Sequence, residues 1–404
     1  MISSSSGNPG NPTIIAAGSW LTASLMLAIP FSTSITTIIS FLLFFLWLLS
    51  RQFLTLGLLL TTNPVALLAL LLFALFFLGL GHTSADISDA LAMLGKYREL
   101  LLLIILPAFL HSVKAQRRTW NALFIGLTIT LLSSHAFALG ILESPHPIKS
   151  PTSIKTHITH GLFVAFLAFY CAHQAISTGK YRVLYLALVP ACLYNLFFQV
   201  PGRSGQLIVL LLALLFSYQR FRIKGLLAVS LLSAGLFTLF VIYSGKAQRV
   251  LAGFAQLQSF LQTHAADLST SAGQRLTFWK HSLTLFMEKP WFGHGTGSFA
   301  GEYQRVASLD SILTSNPHNE YLMIAVQLGV AGLLCFLLFL YQQYRCSQKL
   351  PGITRWLAQG VLLTLIANSM INSSFLDHTE GHWFACLLAL CFAPLGKRRT
   401  KHRA

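Results

Sequence analysis

Beginning at Tyr321 the chain reads YLMIAVQLGVAGLLCFLLFL without a single charge, and runs of this kind recur along its whole length. A run of about 20 apolar residues spans the hydrocarbon of a bilayer as a helix and is far longer than a barrel strand needs. In lipid the backbone polar groups must be satisfied internally, so such runs fold as helices. Candidate spans lie at 14–30, 33–50, 62–80, 99–113, 119–140, 159–175, 183–199, 205–218, 225–243, 319–340, 356–375 and 382–395, which is about twelve by the length rule. Residues 51–63 read as a helix extension or a re-entrant piece. Only 10% of the 404 residues are charged and 54% are hydrophobic, a balance that excludes a soluble globular domain. The expected fold is an all-α polytopic membrane protein in three parts: helices 1–9 over 1–244, one large outer loop over 245–317, and helices 10–12 with a basic tail over 318–404.

The basic residues set the expected orientation. With a cytoplasmic N-terminus, the inner loops and the tail carry 17 of the 28 Lys and Arg, from Arg51 through Lys114, Arg117 and Arg118 to the closing KRRTKHRA, whereas the short outer loops carry 5: Lys96, Arg98, Lys149, Lys155 and Arg203. The positive-inside rule then places both termini in the cytoplasm. The formal charge of +17 is thereby a topological signal and a membrane-lipid anchor rather than a nucleic-acid footprint. The opening MISSSSGNPGNPT has no basic n-region and reads as a short disordered lead-in, not a cleaved signal peptide. The six cysteines fall in spans or on the inner side, as small apolar residues rather than a disulfide or metal framework.

All 11 acidic residues fall in outer loops or at the outer ends of spans. No carboxylate is expected at mid-membrane depth, where ion-coupled transporters keep theirs. Chemistry is therefore expected on the outer face. The stretch from about Lys246 to Pro317 exceeds ordinary loop length and marks a functional segment. Within it, apolar residues at 276, 279, 283, 286 and 287 have the spacing of an amphipathic helix lying on the membrane, which Pro290 ends. Gly293-His294-Gly295-Thr296-Gly297 follows as a tight turn, with structural closure favoured over phosphate binding. Two readings stand for Arg203, set between Gly202 and Gly205: an anion approaching closely, or a snorkelling headgroup contact. Asp86 and Asp89 read as helix caps, and His157 and His160 as interfacial.

Three segments in order, Arg203-Ser204-Gly205, then Arg275 with Trp279, Pro290, Gly293, Gly295, Gly297 and Phe299, then His318-Asn319-Glu320-Tyr321-Leu322 with Gly329 and Gly332, resemble the O-antigen ligase and polymerase superfamily. The His-Asn pair followed by two glycines resembles the ligases more closely. The resemblance implies a GT-C-like bacterial inner-membrane enzyme with a periplasmic site. Such an enzyme transfers a polysaccharide from undecaprenyl diphosphate to a sugar hydroxyl of the lipid A core. Polymerases and protein O-oligosaccharyltransferases share the carrier and differ in acceptor; a glycan transporter is the remoter alternative.

The expected chemistry needs a base and a cation clamp. His318 is the expected catalytic base, placed in the first turn of a helix capped by Asn316 and opened by Pro317, where the dipole disfavours imidazolium. Arg203 and Arg275 are expected to hold the diphosphate, with Lys96 and Arg98 as second choices. Asn319, Glu320 and Asp377 are supporting residues, Asp377 as the partner that orients His318. The pair His378 and His382 has helical spacing but lacks the full metalloprotease arrangement. No metal, nucleotide or other cofactor is expected.

Overall fold

In the computed structural model, residues 11–143, 155–177, 179–200, 202–243, 268–307 and 312–396, with single positions 152 and 258, are described. The expectations for the N-terminal ten residues, Lys149, the first part of the large loop including Lys246 and Asp267, Asp310 and the basic tail from 397 lie outside them. The regular elements among the described residues are all helical: α1 (Pro12–Ala28), α2 (Thr33–Leu49), α3 (Leu56–Thr62), α4 (Pro64–Leu78), α5 (Ile87–Tyr97), α6 (Leu102–Ile105), α7 (Val113–Ala138), α8 (His157–Ser177), α9 (Arg182–Tyr194), α10 (Arg203–Tyr243), α11 (Ser271–Glu288), α12 (Phe299–Val306), α13 (Glu320–Ser347), α14 (Gly352–Ile371) and α15 (His378–Phe392).

The chain is an all-α polytopic membrane protein, but the expected count of about twelve full spans needs correction. Among the described residues six helices are long and apolar enough to cross a membrane, or seven if α2 and the segment Gln52–Thr62, bent 78° from it, form one broken span. The bend follows Arg51, whose φ is +56°. The expected spans 205–218 and 225–243 are the two helical parts of α10, which meet where Arg222 leaves helical geometry. The stretch 99–113 is a series of short turns, 3₁₀, α and 3₁₀ again, with Pro107 in the last. Proline supplies no amide hydrogen to the ladder there, which favours a break.

Helix α8 is the hub, with 83% of its apolar window buried. Lipid tails are as apolar as leucine, so close backbone approach must supply the packing energy between spans. α8 and α10 meet that need at Gly161 and Gly205: a Cβ on Gly205 would lie 2.7 Å from the Gly161 Cα. This crossing seats the start of α10 beside the start of α8. A polar hub sits behind it. Asn195, in a π-helical turn after α9, donates to Ser134 and Gln199 and accepts from His160 at 2.9 Å. His160 is therefore a fully buried packing residue and not interfacial as expected. The six cysteines are free and buried.

α13 is split at Gly329, with φ +64° and ψ −157°. The loop 290–297 repairs the break. His294 and Gly295 donate their amides to the Val326 and Gln327 carbonyls at 2.9 Å, and Val330 and Ala331 donate theirs to Pro290 and Trp291. A broken span is tolerated in a membrane protein only when its freed backbone groups are satisfied in this way. The glycine turn is thus a structural clasp: its amides are spent on Gln327, Gly79 and Val326. The family glycine Gly329 has the same explanation. Its added Cβ would fall 2.4 Å from the Trp291 backbone, and the left-handed φ adds about 1–2 kcal/mol for a residue with a Cβ. Gly329→Ala is expected to lower the detergent melting temperature and the yield of folded protein, whereas Gly301→Ala, at a position open on all sides, should leave both unchanged.

Candidate active site

α11 carries two faces. Phe278, Ser282 and Leu285 are buried against the protein, while Leu283 and Met287 remain exposed together with Trp291 and Phe292 just beyond. The sequence pattern caught the exposed Leu283 and Met287 and the inward-packed Trp279, and missed the buried Phe278 and Leu285. The inner face is the one that reaches the site: the Phe278 ring lies parallel to His318 at 6.3 Å, and Trp279 donates its indole N–H to the Pro317 carbonyl at 3.1 Å.

His318 does not sit in the first helical turn. α13 begins at Glu320, and its N-cap is Asn319, whose Oδ1 accepts from the Leu322 amide; Asn319 Nδ2 donates to the Met370 carbonyl. Asn316 has a different task from the expected cap. Its Oδ1 accepts from the His318 amide at 2.8 Å and from the Ser373 hydroxyl at 2.7 Å, which holds His318 at φ +51°. Strain of this kind, of order 1–3 kcal/mol, persists where the surroundings over-determine it, as they do here.

The partner of the imidazole is Asn372, not Asp377. His318 Nδ1 meets Asn372 Oδ1 at 3.3 Å, and Asn372 Nδ2 donates to Glu380 Oε2 at 2.9 Å. Glu380 is 1% exposed and takes further bonds from Asn368 and Thr159. A carboxylate accepts, so it fixes Asn372 with its amide nitrogen inward and its oxygen toward His318. His318 must then donate from Nδ1, leaving the Nε2 lone pair free. Asp377 caps α15, accepting from the Thr379 and Glu380 amides. Glu320, fully buried, accepts from Tyr97 and from the Phe375 amide, so it pins the turn that carries Asn372.

Burial lowers the His318 pKa from its ordinary value, and the Arg275 charge lowers it further against the Asn372 hydrogen bond that raises it. Arg275, half-buried on α11, is itself lowered by burial and by repulsion from Arg203, the first residue of α10. Its charge also reaches His157 at the start of α8. The two favoured arginines and the favoured histidine thus converge from three separated segments. Neither arginine has a carboxylate within ion-pair distance among the described residues.

Lys96 and Arg98 fall elsewhere. Lys96 is exposed; Arg98 donates to Gly95 and lies over the Phe41 ring at 5.7 Å. Arg98 and Lys155 act instead on a second cluster, in which His382 pairs with Glu99 at 2.7 Å and His378 bonds Thr37. His378 and His382 therefore do not orient His318. Glu99, His378 and His382 could hold a metal by spacing, as could Glu288, His294 and Glu302. In each case a cation is already at hand: Arg98 and Lys155 beside the first, Arg305 paired with Glu288 and Glu302 in the second. Asp86 occupies the N-cap position of α5 but makes no side-chain cap bond; Asp89 lies in the first turn.

Residues 201–337 match the family model described as O-antigen ligase, a span that contains Arg203, Arg275 and His318. This stretch is similar to the O-antigen ligase family. No curated protein matches the chain. Members of that family are glycosyltransferase-like ligases and polymerases, and the match supports an enzyme in general. Asn372 and Glu380 lie beyond the matched stretch; the segment 377–382 stood out in the sequence, but with Asp377 rather than Glu380 as the expected partner, and Asn372 was not flagged.

Proposed function

We propose that the protein is an O-antigen ligase, transferring polysaccharide from undecaprenyl diphosphate to a sugar hydroxyl of the lipid A core on the periplasmic face of the bacterial inner membrane. The observation that carries this reading is the convergence of a neutral imidazole with two arginines that have no carboxylate partner among the described residues. His318 Nε2 accepts the proton of the acceptor hydroxyl. The hydroxyl oxygen forms the new bond to the anomeric carbon, and the bond from that carbon to the diphosphate oxygen breaks. The leaving diphosphate takes the electron pair, and Arg203 and Arg275 offset the charge that develops there. Glu380 and Asn372 keep the imidazole in the accepting tautomer.

The test is the lipopolysaccharide of a deletion strain. Unmodified core with accumulated carrier-linked polymer is the expected result; core bearing a single repeat unit would instead assign polymerase activity. In reconstituted liposomes, transfer is expected to continue in excess chelator, because guanidinium groups occupy the place a divalent ion would take. A rate that collapses in chelator and returns with Mg²⁺ would remove the arginine clamp from the mechanism.

A further inference from the structure

α1 and α7 run side by side, and two contiguous cavities open along their seam. One, of about 470 Å³, is lined by Pro12, Ser19, Trp20, His111, Lys114 and Arg118; the other, of about 420 Å³, shares Trp20, Lys114 and Arg118 and continues past Arg117, Ala122 and Leu27 to Ile125. The Arg118 guanidinium lies 3.5 Å from the Trp20 ring centroid and donates to the Ser19 hydroxyl at 3.2 Å. No acidic side chain lines either cavity. The positive end of the α7 dipole adds to the same field.

We propose that this seam is a binding site for one anionic phospholipid of the leaflet facing the N-terminal ends of α1 and α7, which the basic-residue distribution assigns to the cytoplasmic side. Three cations with no acidic partner among the described residues call for an anion from outside the chain. The order of groups along α7 selects a lipid over a free ion. At 1.5 Å per residue Arg118 lies ~8 Å from the helix start and Ile125 ~18 Å, so the cationic end and the apolar end line up as headgroup and acyl chain do. The phosphate meets Lys114, Arg117 and Arg118, and a chain lies along Trp20, Ala122 and Ile125.

The test uses the full chain in nanodiscs of phosphatidylcholine with or without phosphatidylglycerol, followed by native mass spectrometry of retained lipid. Wild type is expected to retain phosphatidylglycerol selectively. Lys114→Gln with Arg117→Gln should reduce the preference by roughly fivefold per charge, from about 1 kcal/mol for each basic residue near anionic lipid. Both residues are exposed and stand outside the Trp20 stack, so an unchanged melting curve is expected and confirms folding. Ala122→Trp, which fills the apolar half without touching a charge, should also lower retention. Equal retention of both lipids, or a preference that survives the double variant, would overturn the proposal. So would an unaffected Ala122→Trp protein or full displacement by millimolar inorganic phosphate, since either means that only an ion binds.

Discussion

His318→Ala is expected to lower glycan transfer by roughly 10²–10⁴-fold, the range of general-base catalysis, while abundance and membrane insertion stay normal. The side chain makes one 3.3 Å hydrogen bond and one distant ring contact, too little packing for its loss to unfold the protein. The pH profile supplies a second readout. Burial and Arg275 hold the His318 pKa below 6.5, and the base form dominates above that lowered value. The rate should therefore rise through an acid limb below 6.5 and stay flat past neutrality. Arg275→Gln removes a nearby cation and should move the residual limb upward. Asn372→Ala removes a bond that favours the protonated ring and should move it downward. Glu380→Ala removes the acceptor that holds the Asn372 amide nitrogen inward, frees Asn372 to turn its donor toward His318 and loosens control of the tautomer. It should depress turnover more than donor affinity. Normal glycan ladders in His318→Ala, or an acid limb above 6.5, would sink the assignment.

The parts of the site that could be read from sequence are those whose residue type is itself the chemistry. An imidazole at a loop-to-span boundary and arginines at the mouths of helices are expensive or rare in such places, so His318, Arg203 and Arg275 stood out. Asn372 and Glu380 did not, because an amide relay depends on which carboxylate faces which side chain, and that is set by the packing of α8, α14 and α15. Asp377 looked the better partner because it is a carboxylate in an outer loop; the local geometry of α15 takes it as a cap instead. The helix register at His318 was misread for a related reason. Asn316 and Pro317 carry a plausible helix start, but Asn319 also caps well, and the Ser373 hydroxyl and the Trp279 indole pull the preceding residues into a turn. In the membrane part, hydropathy located the apolar segments well. It placed the boundary at Arg222, between 205–218 and 225–243, but it could not show that Gly329 breaks α13, since that break is held by partners in the loop 290–297.

Arg203→Ala and Arg275→Ala are each expected to cost roughly 10²–10³-fold in turnover, the scale of losing one donor aimed at developing charge. The reason is electrostatic. Two guanidinium groups that repel each other and have no carboxylate partner among the described residues are held together by the Gly161–Gly205 crossing and by α11, and a diphosphate is the anion that relieves the repulsion. Lysine should rescue poorly at either position, because a point charge cannot reproduce a planar two-pronged contact with phosphate oxygens. Since both arginines act on one leaving group, the double variant should lose less than the product of the single losses, as coupled neighbours do. Lys96→Ala, at an exposed position away from the cluster, should change the rate little. The measurement is initial rate and donor affinity with purified protein and an undecaprenyl diphosphate donor in liposomes. Full turnover and unaltered donor affinity in both alanine variants would place the diphosphate elsewhere, with the Arg98 and Lys155 cluster as the next region to probe.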